Sequence, residues 1–196
     1  MKRILLILGL LALPAAVFAQ GTVQFLNTST TQMRTNTAQD GVSGIGGVTQ
    51  GAGQYTVGLY VAPSGTSDPN AFTLNGPTTL SQTALGNGRF NGGSSFVISN
   101  NTGQTIAFQV RAWSTFAGAT YEEAKLSLNP GTYLGVSGIG SVTPATGVGQ
   151  PVPSLFGTSP GALNSGFTLI PNVPEPSSIA LGLLGLGAIA LFRRRK

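Results

Sequence analysis

Between residues 20 and 170 the chain alternates hydrophobic and polar positions in short runs. From Tyr55 to Val61 the odd positions, Tyr55, Val57, Leu59 and Val61, are all apolar or aromatic. From Gln104 to Trp113 the even positions Ile106, Phe108, Val110 and Ala112 form one face, and Gln109, Arg111 and Trp113 form the other. Val23 with Phe25, Phe96 with Ile98, and Phe167 with Leu169 repeat the pattern in shorter form. A period of two places alternate side chains on opposite faces of a strand. Turn clusters at 62–70, Asn91–Gly93, 100–103 and Asn129–Gly131 separate these runs. Together they predict an all-β domain over 20–170, an antiparallel β-sandwich of Ig-like or jelly-roll-like type with long Gly/Thr/Ser-rich loops. The one helical stretch is Tyr121–Leu126, ended by Asn129-Pro130. Residues 36–54 hold six glycines and no aromatic, and read as a loop or insertion. Residues 137–166, with Pro144, Pro151, Pro153 and Pro160, read as an extended strap over the sandwich.

Both ends break the alternation. Residues 1–19 open with Lys2 and Arg3, continue as an apolar run and close with Val17-Phe18-Ala19. That order is a secretory signal peptide forming a short signal helix, with cleavage between Ala19 and Gln20. At the other end, residues 171–178 form a linker containing Pro174-Glu175-Pro176. Residues 179–192 are continuously apolar, and Arg193, Arg194, Arg195 and Lys196 finish the chain. The apolar run predicts a short transmembrane helix. The terminal cations predict a stop-transfer signal that stays on the cytoplasmic side. Two prolines around Glu175 hold the backbone extended, in a form a processing enzyme can bind.

The tripeptide, the Gly- and Leu-rich apolar segment and the arginine cluster, in that order, resemble the PEP-CTERM sorting signal of Gram-negative bacteria. The resemblance covers Pro174 to Lys196. It implies recognition of Pro174, Glu175 and Pro176 by the membrane protease-transpeptidase exosortase, and removal of the tail. It also implies an exported protein associated with exopolysaccharide and biofilm matrix. A permanent single-span anchor is the alternative reading of the same tail.

Charge supports a targeting origin for these ends. The net charge is +5, yet six of the ten basic residues lie in the two terminal signals. The interior sets Arg34, Arg89, Arg111 and Lys125 against Asp40, Asp68, Glu122, Glu123 and Glu175. No basic cluster remains to follow a phosphate backbone, so nucleic acid is not an expected partner. Thirteen aromatics between Phe25 and Phe167, with almost no net charge, favour folding over disorder.

Composition also limits the chemistry. The chain has no cysteine and no histidine. Thiolate nucleophiles and disulfides are therefore excluded, and the commonest general base and metal ligand are missing. Glu122 and Glu123 are adjacent and cannot flank one bond as a paired acid and base. No catalytic residue, metal site or cofactor is expected. One constellation invites a binding reading: Arg111 and Trp113 on a strand, followed by Tyr121 and Glu122. Trp113 and Tyr121 would stack on a sugar ring while Arg111 and Glu122 bond its hydroxyls. The plainer reading pairs Arg111 with Glu122 or Glu123 across a corner of the sheet. The expected function is a non-enzymatic, exported surface or matrix protein processed by signal peptidase and exosortase. It would be held at the inner membrane in transit, with exopolysaccharide as a partner. A glycan-binding module and a permanently anchored surface protein are the alternatives.

Overall fold

The computed structural model describes residues 20–173, apart from 39, 40, 42, 45, 50, 52, 83, 84 and 148. The signal peptide with Ala19, the tripeptide Pro174-Glu175-Pro176, the apolar segment 179–192 and the terminal basic residues lie outside the described residues. The strongest alternating run becomes the central strand β9, Ile106–Ser114, and all nine of its residues are buried. Its partner β4, Tyr55–Pro63, runs antiparallel beside it from Tyr55↔Ser114 to Pro63↔Ile106. The helical stretch becomes α1, Tyr121–Leu126. Thr120 caps it by accepting from the Glu123 N–H at 3.2 Å, which satisfies one of the free donors of the first turn.

The remaining strands are β1 (Gly21–Val23), β2 (Arg34–Asn36), β3 (Gly46–Val48), β5 (Thr73–Leu74), β6 (Thr79–Gln82), β7 (Arg89–Phe90) and β8 (Phe96–Ile98). After α1 come β10 (Tyr133–Val136), β11 (Gly140–Val142) and β12 (Thr168–Pro171). The main sheet runs β3-β2-β12-β10-β9-β4-β6-β7, with β11 also on β9 and β5 also on β4. A separate two-stranded ribbon joins β1 to β8.

The main sheet is covered on both faces, because odd and even positions of β4 and β9 are both apolar or large. Val57, Leu59, Phe108, Val110 and Ala112 share one cluster with Val23, Phe25, Phe96 and Ile98 of the ribbon and its flank. Phe25 sits 5.0 Å from Phe96 and 5.2 Å from Phe90, centroid to centroid, and the tilted rings fill this layer. Each such buried side chain contributes roughly 1.5–3 kcal/mol through removal from water. On the opposite face Tyr60, Ala62, Phe72, Ala107, Trp113 and Leu134 pack with Ala124 of α1.

The chain is mostly β, as expected, and the two faces of β9 fall as the alternation places them. Two features differ from facing antiparallel sheets. The second layer is the β1–β8 ribbon with the later part of the strap, around Leu155, Phe156 and Leu163, rather than a second broad sheet. The strap's Gly140–Val142 instead joins the main sheet as β11. One ladder is parallel: β12 pairs with β2 through Thr168↔Arg34 and Leu169↔Thr35. Parallel neighbours need a long connection between them, which the chain from 37 to 167 supplies. The 36–54 stretch is also more ordered than a loop, since β3 pairs antiparallel with β2.

The strap earns its position through Leu155 and Phe156, 0% and 2% exposed. Bridges Thr22↔Ala145 and Gln24↔Ser154 stitch it to the N-terminal strand and its flank. Gly140 is required where β11 crosses Phe108, because a Cβ there would overlap the Phe108 ring. The linker expected from residue 171 begins later. Pro171 is the last residue of β12, pairing with Tyr133, and Asn172 is bonded into the fold.

Candidate functional site

Two places bring polar or processing-related residues together: the Arg111 cluster under α1, and the point where the described chain ends. The first is built by β9 and α1. Odd positions of β9 face α1, so Gln109, Arg111 and Trp113 lie beneath it. The Arg111 guanidinium donates to Glu122 Oε1 at 2.9 Å, to Gln109 Oε1 at 3.2 Å, and to the Pro69 carbonyl. It also lies over the Tyr60 ring at 4.2 Å and the Tyr121 ring at 5.3 Å. A weakly hydrated planar cation suits this sandwich between rings. Its Nε is buried without a hydrogen-bond partner.

Glu122 is shared. Its second oxygen accepts from the Tyr60 hydroxyl at 2.8 Å. The same hydroxyl oxygen accepts from the Tyr121 N–H at 3.3 Å. Burial, followed by the hydrogen bond to the Glu122 carboxylate, pushes the Tyr60 phenol well above its ordinary value. Burial also raises Tyr121, against a smaller opposing pull from Arg111.

These positions bear on both readings of the constellation. The Arg111–Glu122 ion pair is present, with the arginine side chain 8% exposed and the glutamate 57% exposed. Trp113 is 0% exposed, and its indole N–H donates to the Gly118 carbonyl at 2.9 Å. A stacking platform needs an open ring face, and Trp113 has none. Tyr121 meets it edge-on at 6.3 Å, as core packing does. What stays open is a cavity of about 180 Å³ beside Arg111, lined by Asn70, Gln109, Tyr121, Glu122, Lys125 and Val136. Its polar groups could bond the hydroxyls of a small ligand. Tyr60 and Asn70 were not legible as members. Tyr60 joins through the pairing of β4 with β9, which sets it opposite Gln109. Among the described residues no three of His, Cys, Asp and Glu come together in a metal-holding group.

The second place is the exit of the chain. The Asn172 N–H donates to the Thr132 carbonyl at 2.7 Å. Its side-chain amide donates to the carbonyls of Lys125 at 3.1 Å, Ser127 at 3.2 Å and Ala124 at 3.4 Å. They lie at the C-terminal end of α1, where carbonyls run out of helical donors; that of Ala124 also accepts from the Ser127 N–H at 3.1 Å. Asn172 thus ties the last described turn of chain to the helix end, and Val173 stands 55% exposed beyond it. Among the described residues no helix is long and apolar enough to cross a membrane.

Comparison with known proteins bears on this exit. No curated protein and no solved structure matches the chain. Residues 172–196 match the PEP-CTERM protein-sorting motif. The match begins at Asn172, the residue that closes the folded domain, and contains the tripeptide, the apolar segment and the basic end. That motif supports an exported chain directed to exosortase. The C-terminal part of this chain, from Asn172 to Lys196, is a PEP-CTERM protein-sorting motif.

Proposed function

We propose that this chain is a non-enzymatic surface or matrix protein, exported after signal-peptidase cleavage between Ala19 and Gln20. It is held at the inner membrane by residues 179–192, with Arg193 to Lys196 as the stop. Exosortase then acts at Pro174-Glu175-Pro176, and the β-domain goes to the cell surface or the exopolysaccharide matrix. The single observation that carries this reading is the sorting-motif match over 172–196. The mostly uncharged interior sequence and the absence of histidine and cysteine from the whole chain agree with a binding or structural role.

The test is the intact mass of the protein from culture supernatant and from membranes, for the natural chain and for Glu175→Ala. Released material ending near Pro176, lost in the variant, is the expected result. Full-length material ending at Lys196 in membranes, unchanged by the substitution, would make the tail a permanent anchor and overturn the processing reading.

A second reading, glycan binding, has one specific observation in its favour: the polar cavity beside Arg111. Its test is retention of the natural chain on extracted matrix polysaccharide, compared with Asn70→Ala and Lys125→Ala. Equal retention of all three would remove the cavity from consideration.

A further inference from the structure

The four most exposed large apolar side chains among the described residues are Leu126 at 80%, Leu128 at 79%, Phe116 at 62% and Val173 at 55%. They are scattered along the sequence and gathered in the fold. Leu126 and Leu128 flank Ser127, whose carbonyl accepts from Asn172, the residue before Val173. Phe116 follows the end of β9 at Ser114 and lines one shallow cavity with Gly131 and Tyr133, which flank Thr132. Thr132 in turn accepts from the Asn172 backbone. All four therefore cluster at the end of the sheet from which the chain leaves.

We infer that this end of the domain is a membrane-contact face, on which Phe116, Leu126, Leu128 and Val173 enter the headgroup layer of a phospholipid bilayer while the tail is still attached. The inference rests on the anchored intermediate proposed above. Chain length selects the bilayer as the occupant. Only residues 174–178 separate Val173 from the apolar segment starting at Ile179. Fully extended, that stretch spans only about 20 Å. Because Asn172 is fixed to the helix end, the domain cannot swing away on a longer tether. The same end of the sheet must then face the membrane at short range. Leucine, phenylalanine and valine side chains gain by leaving water for the interface. The charges of α1 are ordered to match, with Glu122 and Glu123 in the first turn and Lys125 in the last, beside Leu126. A lysine there can lay its stem along the apolar surface and offer its ammonium to anionic headgroups.

The absence of cysteine from the whole chain makes the test clean. An environment-sensitive fluorophore is placed on single cysteines at Phe116, Leu126 or Leu128 of the full chain. A control carries it at Ser64, beyond the opposite end of β4 and roughly 27 Å along the strand direction. The chains are reconstituted in vesicles of phosphatidylcholine and phosphatidylglycerol, with and without spin-labelled lipid. The expected result is blue-shifted emission and lipid-dependent quenching at all three positions, with neither at Ser64. Vesicle-bound chains whose three probes match Ser64 would overturn the contact face and leave the anchor intact. Chains that do not float with vesicles would overturn the anchor itself, and the contact face with it. A shift that vanishes at one chain per vesicle would assign the patch to a second copy. A shift that needs added exosortase would assign it to the enzyme, and either result would overturn the lipid contact.

Discussion

The side-chain amide of Asn172 donates to the carbonyl of Lys125 at 3.1 Å, which fixes the end of the last strand to the end of the only α-helix among the described residues. All three partners of that amide are carbonyl oxygens, so its NH₂ group must face them. The sorting motif therefore begins on a residue held by the fold, and its next residue, Val173, is exposed.

Replacing Asn172 tests this anchor. Asn172→Ala should lower stability by about 1 kcal/mol and the thermal midpoint by roughly 2–4 °C. Asn172→Asp should cost more than Asn172→Ala, because a carboxylate would face helix-end carbonyls that already carry partial negative charge. Thermal unfolding of the full chain in detergent, followed by circular dichroism, reads both. Limited proteolysis after residue 171 should accelerate in each variant.

The Arg111 cluster should behave as a packed unit with unequal members. Arg111→Ala removes a buried side chain that touches two rings and three acceptors, and should cost about 3 kcal/mol. Glu122→Gln keeps an oxygen for Tyr60 and loses an ion pair whose acidic member is half open to water. It should cost about 1 kcal/mol or less. Denaturant titration separates the two, and equal losses would refute the ranking.

Stability should fall on the alkaline side. Burial raises the phenols of Tyr55, Tyr60 and Tyr121 above 10.0, the ordinary value. A folded-state pKa above the unfolded one means that the unfolded chain loses its protons first as pH rises. The stabilisation is then complete below about pH 10 and is lost above it, with a slope of at most about 1.4 kcal/mol per pH unit for each phenol. Tyr60→Phe should start less stable and decline less steeply. With no histidine in the chain, the curve should be nearly flat between about pH 6 and 9.

Glycine at 140 should be needed for packing, while glycine at 47 is not. A Cβ at Gly140 meets the Phe108 ring and the Gly161 carbonyl, whereas one at Gly47 meets nothing within 4 Å. Gly140→Ala should destabilise by about 1–3 kcal/mol. Gly47→Ala should stay within about 0.5 kcal/mol of the natural chain. Urea midpoints of the two variants provide the comparison.

Much of the architecture was legible where alternation is long. The run from Ile106 shows one apolar face of a strand, and the fold buries that face and the other as well. Tyr121–Leu126 forms the helix at its expected bounds because Thr120, Glu123 and Lys125 place cap and charges correctly for one. The short strands β2, β3 and β7 escaped, since two or three residues such as Arg34–Asn36 carry no readable period and form through their neighbours. The parallel pairing of β2 with β12 is a relation between distant segments that no local pattern encodes. In the cluster, the Arg111–Glu122 pairing followed from charge scarcity: few acids were near enough in sequence to meet it. The burial of Trp113 was not legible, because an alternating strand does not reveal what covers its second face. Asn172 was hidden for a similar reason, as its partners are backbone carbonyls.

The place of β12 in the sheet has a consequence for timing. β12 lies between β2 and β10, so the sheet has an empty slot until residues 168–171 are available. In an exported chain those residues leave the translocation pore after every other strand of the domain, only a few positions ahead of the apolar tail. The early strands must wait, with their edges open, for a segment threaded almost at the end of the chain. Closure of the domain is then a late, long-range step. Completing it also docks Asn172, the residue on which the sorting motif begins. Folding of the domain and fixing of the first residue of the sorting motif become one event, so in an incompletely folded chain the motif would start from an unanchored residue.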